Sequence, residues 1–342
     1  MAEFRGLAIS LGAEIIAEVI CRRDAPDPKY FIGQGKVAEI HSQVLSSAAD
    51  VVMFSHQLSP AQERNLEKTF QRPILDRTKI ILDIFAKRAR SFEGKLQVEL
   101  ARLEHLSTRL VRGWTHLERQ RGGIGLRGGP GETQLEVDRR ILRQKVAGLK
   151  KRLEKLEKQR AQNRRARKRA SVPTIALVGY TNAGKSSLFN KLVSTTSTDV
   201  ADLVFTTLDP LLRRVYLPDF GAIIVADTVG FIRELPHELI DAFHATLEET
   251  KEADLLLHVI DASDPEKNAK IEVVNKVLED IGANNVPELQ VLNKIDLLSD
   301  FSPRIDYDAS GLPQRVWISV VGNLGAPLLL EAIKKLLLHH KS

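Results

Sequence analysis

Residues 179–186 read Gly-Tyr-Thr-Asn-Ala-Gly-Lys-Ser, between an apolar run at 175–178 and a helix-like stretch at 187–192. This spacing, in a strand–loop–helix setting, is that of a phosphate-binding loop. Its successive backbone N–H groups and the helix N-terminus face phosphate oxygens. Gly179, Tyr180, Thr181, Asn182, Ala183, Gly184, Lys185, Ser186 and Ser187 are therefore the candidate phosphate-binding residues. Lys185 supplies a point charge at the β- and γ-oxygens, and the Ser186 hydroxyl is a ligand for Mg²⁺.

Further elements follow in order. Asp227, Thr228, Val229 and Gly230 come after a strand-like run at 222–226. Asp227 is placed to hold the Mg²⁺ shell from the second rank, and the Gly230 N–H to reach the γ-phosphate. Asn293, Lys294, Ile295 and Asp296 follow the apolar run 289–292. A carboxylate at Asp296 accepts from both N1–H and the 2-amino group of guanine. Adenine has no such donor pair, so the motif selects GTP/GDP over ATP. Ser319, with Val320 and Val321, follows the strand-like 316–318 and is placed to support the base. Between loop and Asp227 lie Phe205, Thr206, Thr207, Leu208 and Asp209, a candidate switch segment. Such a segment needs one threonine on Mg²⁺ and the γ-phosphate; on spacing alone either threonine serves.

The elements that must position these residues fall into three regions. At 342 residues the chain is expected to divide into two or three domains, and its 43% hydrophobic content is that of a soluble globular protein. No apolar run approaches a membrane span, the N-terminus lacks a signal-peptide layout, and a lone Cys21 excludes an internal disulfide. A reducing cytosol is the expected compartment. Residues 1–90 alternate helix-like and strand-like patches. Strands are predicted around Ile15–Ile20 and at 51–54, and helices near 35–47, 60–70 and 77–89. The third region, 171–342, carries the nucleotide motifs.

Between them, 91–170 has another character. Leu96, Leu103, Leu110 and Leu117 repeat every seventh position, as do Leu135, Leu142, Leu149 and Leu156. Two such runs around a glycine-rich segment predict an antiparallel helical hairpin. Its tip, 121–133, holds six glycines with Arg121 and Arg127, and reads as a phosphate-seeking binding tip. Fifteen lysines and arginines between Arg139 and Arg169 face only Glu154 and Glu157, although the net charge is +6. This density predicts an RNA partner, with Arg164, Arg165 and Arg167 in a basic linker at 162–171 as candidate contacts.

With these residues in view, the chain resembles the HflX family of translational GTPases. The resemblance rests on Lys29-Tyr-Phe-Ile-Gly-Gln-Gly-Lys36, Leu58-Ser-Pro-Ala-Gln-Glu-Arg-Asn65, Trp114-Thr-His-Leu-Glu-Arg119, Gly131-Glu-Thr-Gln-Leu135, the phosphate loop and Asp227-Thr-Val-Gly-Phe-Ile232. It implies an α/β fold: a Ras-like P-loop GTPase domain preceded by a small α/β domain and an antiparallel helical hairpin. It also picks Thr207 as the switch threonine on Mg²⁺. It implies binding to the large ribosomal subunit and its rRNA through the hairpin and help in dissociating stalled ribosomes; a monomer without membrane insertion is expected beside it. Against the family's usual layout, the first strand and the C-terminal domain are expected to be missing. The tip has one extra glycine, and Val320 replaces an alanine.

Two mechanistic expectations follow. Phe231, after Gly230, cannot orient a water as the glutamine of Ras does, so hydrolysis should be slow without the ribosome. Asn182 resembles the asparagine of potassium-stimulated GTPases and is a candidate K⁺ ligand, against a bracing role in the loop. The catalytic set is thus Lys185, Thr207, Gly230 and Asn182. The rival readings are an RNA-binding adaptor with nucleotide-tuned affinity, and ATP-dependent RNA remodelling by residues 1–90. The latter region carries no second phosphate loop.

Overall fold

The computed structural model describes residues 2–89, 91–120, 130–169, 172–193, 211–228, 230–232, 244–299 and 301–339. Contacts group the chain into two compact units: residues 1–87 with 96–152, and residues 88–95 with 153–342.

In the first unit, α1 (Ala2–Leu11) and α2 (Gln34–Ser47) precede a short parallel pair, β1 (Val52–Met53) and β2 (Ile74–Leu75), with α3 (Pro60–Phe70) between the strands and α4 (Arg77–Arg88) after them. The α3 start is written in Ser59-Pro60. The Ser59 hydroxyl accepts from the Gln62 N–H, the Gln62 side chain accepts from the Ser59 N–H, and proline occupies the first turn. Asp76 starts α4 in the same manner, accepting from the Lys79 N–H at 2.9 Å. The core gathers Ile32, Val37, Phe54, Leu58, Leu66, Phe70 and Ile74. The strand predicted at Ile15–Ile20 does not form. Residues 13–23 enter no sheet, and Ile16 and Ile20 stand exposed, because the pair β1–β2 ladders only with itself.

The hairpin helices are α5 (Phe92–Gln120) and α6 (Pro130–Arg169). Leu96, Leu100 and Leu149 are buried along the predicted seam, and Lys150 of α6 meets Glu104 of α5 at 2.7 Å. Buried Asp76 and Glu63 both pair with Arg109 of α5. The stretch expected to be a linker is helical as far as Arg169. Its Ala, Arg, Lys and Gln residues are good helix formers, and no breaker intervenes before Pro173.

The second unit holds β3 (Thr174–Val178), α7 (Lys185–Val193), β4 (Leu211–Leu217), β5 (Gly221–Asp227), α8 (His244–Lys251), β6 (Leu255–Asp261), α9 (Lys267–Asp280), β7 (Glu288–Asn293), a 3₁₀ turn (Ile295–Leu297), β8 (Arg304–Tyr307), β9 (Pro313–Trp317) and α10 (Ala326–His339). The seven strands are ordered β4-β5-β3-β6-β7-β9-β8, parallel except for the two edge strands. Strands β3 and β6 are apolar almost throughout, as two helix-covered faces require. Ile175, Leu177, Leu257, Val259, Val291 and Ile333 centre the core. Register then aligns the carboxyl ends of the parallel strands: Leu177 beside Asp227, Val178 beside His258, Asp261 beside Asn293 and Leu292 beside Trp317. In open α/β sheets this edge is where ligands bind.

Candidate nucleotide site

The loop from β3 to α7 turns on two glycines that no other residue could replace in place. Gly179 has φ +143°, and a Cβ there would stand 2.2 Å from the Val259 carbonyl oxygen. Gly184 has φ +99°, and its Cβ would meet Asn293 Nδ2 at 2.2 Å. Both positions lie in the left-handed region that glycine tolerates. Asn182 also adopts it, at φ +63°, with its side chain exposed. Tyr180 is buried, its ring 5.0 Å from the Lys270 ammonium of α9, so the ring anchors the loop against that helix.

Lys185 is buried, and its ammonium donates to the carbonyls of Gly179 (2.9 Å) and Tyr180 (2.8 Å). Burial brings its pKa down to about 8, with the Asp227 charge opposing the shift. The Ser186 hydroxyl donates to Asp227 Oδ2 at 2.9 Å. These are hard oxygen donors side by side, a set that suits Mg²⁺. Ser187 follows, half-buried in the first turn of α7.

Past the end of β5, Thr228 turns its hydroxyl to the Leu177 carbonyl and braces the sheet. Gly230 approaches closely: a Cβ would sit 2.9 Å from the Thr181 methyl and 3.0 Å from Lys185 Nζ. Phe231 bridges back to the loop, its N–H donating to the Gly179 carbonyl (3.1 Å) and its carbonyl accepting from Thr181 (2.8 Å). Its ring is buried, so it presents no group to a water. The switch residues Phe205, Thr206, Thr207, Leu208 and Asp209, together with Val229, Arg121 and Arg127, lie outside the described residues. Arg165 is exposed on α6; the helix also carries Arg164 and Arg167.

At the other end, Asn293 joins three segments. Its Nδ2 donates to the Ala183 carbonyl of the loop (3.0 Å), and its Oδ1 accepts from the Val320 N–H (3.1 Å). Lys294, left-handed at φ +66°, pairs with Asp261 at 2.8 Å. Ile295 is buried and its N–H donates to the Ile318 carbonyl (3.3 Å), which leaves Asp296 exposed on the 3₁₀ turn. The Ser319 hydroxyl accepts from Gly322 (2.8 Å), while Val321 is 88% exposed. Sequence reasoning passed over Asp261 and Lys270. The carboxylate at the end of the apolar strand β6 was the signal for the first; Lys270 is recognisable only once α9 lies over Tyr180.

Phosphate loop, strand-end carboxylate and exposed turn on one sheet edge make this a P-loop GTPase. Family comparisons match three successive stretches of the chain: the GTP-binding GTPase N-terminal family residues 1–86, the GTP-binding GTPase middle region 88–167, and the 50S ribosome-binding GTPase family 174–294. The chain belongs to the HflX GTPases: it is 57% identical to GTPase HflX of Escherichia coli K12 over 97% of its length and 78% of that relative's. GTPase HflX of Magnetococcus marinus is 51% identical over 85% of this chain and 67% of its own. Among solved structures, the SsGBP and GDP complex covers 98% of the chain and 95% of its own at 26% identity and a TM-score of 0.54. Among the described residues, no helix is long and apolar enough to cross a membrane.

Proposed function

We propose that this GTPase is a switch working on the large ribosomal subunit, bound through the basic hairpin, and that the ribosome stimulates its hydrolysis and so helps release stalled ribosomes. The observation that carries this is α6 itself: Lys145, Lys151, Arg152, Lys155, Lys158 and Arg165 all stand exposed along one helix. The description of the family matching residues 174–294 names the same partner. Such a helix suits a phosphate backbone, whose contacts weaken steeply as salt rises.

In the site, Asp296 would read guanine, Lys185 would leave its two carbonyls for the β- and γ-oxygens, and Gly230 would offer its N–H to the γ-phosphate. Ser186 and Thr207 would hold Mg²⁺, with Asp227 steadying the shell. When bound, that ion neutralises charge developing on the phosphate oxygens. With Phe231 buried, the chain brings no water-orienting side chain from that position. A partner-induced rearrangement, or K⁺ held by exposed Asn182, would supply what is missing. GTP turnover is the test, measured with and without large subunits in potassium and in sodium buffer. Stimulation by the subunits is expected, larger in potassium. A rate unchanged by subunits would overturn the ribosomal reading, and equal rates in the two buffers would remove Asn182 from the mechanism.

A further inference from the structure

Beyond the proposed base-reading turn, the sheet edge carries a stack that nucleotide chemistry does not by itself require. Strand β9 ends at Trp317, two residues before Ser319, and register sets Trp317 between Leu292 of β7 and Arg304 of β8. The Arg304 guanidinium lies 4.5 Å from the centre of the Trp317 indole and 4.9 Å from that of the Phe301 ring. The two rings are themselves 4.6 Å apart. Asp306 locks the arrangement: Oδ2 accepts from the indole N–H at 2.6 Å and Oδ1 from Arg304 Nε at 3.0 Å.

A stacked arginine at a sheet edge often does no more than shield the edge. Here the contacts on the inner side argue otherwise. Trp317, Phe301 and Leu298 pack onto Ala262, Leu292 and Ile295, and Ile295 opens the turn that carries Asp296. The same short run of backbone controls the Ser319 loop. Ile318 donates to the Leu292 carbonyl at 2.9 Å, its own carbonyl accepts from Ile295, and Val320 donates to Asn293. Behind it, Gly325 lies so close that a Cβ would stand 3.0 Å from the Trp317 carbonyl oxygen. The indole thus touches the floor of the turn and is tied to the edge strand through both its Asp306 hydrogen bond and the Arg304 guanidinium.

We propose that Trp317, clamped by Arg304 and Asp306, is a positioning residue for guanine selectivity, holding the 295–297 turn where the Asp296 carboxylate meets N1–H and the 2-amino group together. The proposal rests on the reading of Asp296 as the base acceptor. Hypoxanthine keeps N1–H but lacks the 2-amino group, so the preference for GTP over ITP reports the alignment of that second bond.

The test displaces a fluorescent GDP analogue from the full chain with GTP, ITP and XTP, alongside thermal unfolding of each variant. Asp306→Ala and Trp317→Phe should lower the GTP-over-ITP preference roughly 3- to 10-fold while ITP affinity stays within about 2-fold. Asp306→Asn keeps an acceptor for the indole and should recover most of the preference. Parallel weakening of GTP and ITP, or an unchanged ratio in folded Asp306→Ala, would overturn the proposal and leave the stack a stability element. Asp296→Asn separates the two claims. An amide there donates to the C2 carbonyl of xanthine, so this variant should lose GTP and gain XTP. If it keeps GTP, the underlying reading is wrong; if it switches while the stack variants do not change the ratio, only the stack proposal falls.

Discussion

At the phosphate end of the site, Lys185 and Ser186 bond to groups from which an incoming nucleotide would draw them. The Lys185 ammonium donates to the carbonyls of its own loop, and the Ser186 hydroxyl to Asp227. At the base end, the bonds of Asn293 and Lys294 run between segments, the Ser319 hydroxyl ties its own loop, and Asp296 is left exposed, so a base could enter without breaking any of them. The difference separates two tasks. On the proposed reading, the groups that would sense the γ-phosphate are held by replaceable partners, whereas those that would tell one base from another are fixed before the ligand arrives. Preorganisation of that second kind reduces the cost of binding.

The comparison breaks most completely at Lys185. Lys185→Met removes the one charged side chain among residues 179–186, which on the proposed reading would meet the phosphates, and charge-assisted hydrogen bonds are among the strong ones. GTP affinity should fall at least ~100-fold, at roughly 1.5–3 kcal/mol for each bond lost. Equilibrium binding of a fluorescent GTP analogue measures it; a loss below about 10-fold would place the ammonium away from the phosphates. The nucleotide-free variant should be at least as heat-stable as the parent, since it buries no charge.

The same residue predicts a pH dependence. The folded, nucleotide-free pKa of Lys185 is about 8, below the 10.5 of an ordinary lysine. Between those values the unfolded chain binds more protons than the folded one, so unfolding free energy should rise with pH across that window. Below about pH 8 the buried ammonium is charged in both states and its cost is constant. The gain across the window is of order 3 kcal/mol. Denaturant titrations at stepped pH should show it in the parent and not in Lys185→Met; equal slopes would mean that the ammonium is well solvated.

Gly184 is where the two ends meet, and Gly184→Ala tests whether they are coupled. The substitution forces a side chain into φ +99° and against Asn293 Nδ2. Strain of this kind costs about 1–3 kcal/mol. Relief by displacing Asn293 would release Val320 as well. The expected result is a GTP affinity loss of ~10-fold or more, with a lower unfolding midpoint. If ITP weakened far less than GTP, the damage would have travelled to the base end.

Much of this site was legible because its signals are local. The pattern 179–186 specifies a loop whose conformation follows from its own glycines and from the helix that starts at Lys185. Ser59-Pro60 declared a helix start for the same reason. What failed was non-local. The β-branched apolar residues Ile15, Ile16, Val19 and Ile20 look like a strand, but a strand exists only if a neighbour supplies its ladder. The 162–169 segment read as a linker from its charge, although charge says little about backbone and its residues favour helix. Lys270 beneath the loop and the Trp317 stack follow from strand order and register, which put residues far apart in sequence side by side.

The finest test of the comparison is Ser319→Ala. The Ser319 hydroxyl accepts from the Gly322 N–H, but the loop keeps two further ties: Ser319 and Leu324 exchange backbone bonds at 3.0 and 2.9 Å, and Val320 remains on Asn293. Losing one neutral hydrogen bond among several is worth ~1 kcal/mol. GTP affinity should therefore drop about 5-fold, and the unfolding midpoint by a few degrees. If the base end is fixed as a lattice, no single neutral bond should control it. A loss approaching 100-fold from this one hydroxyl would instead mean that Ser319 contacts the base directly, and that the base end, like the phosphate end, exchanges its partners when the nucleotide binds.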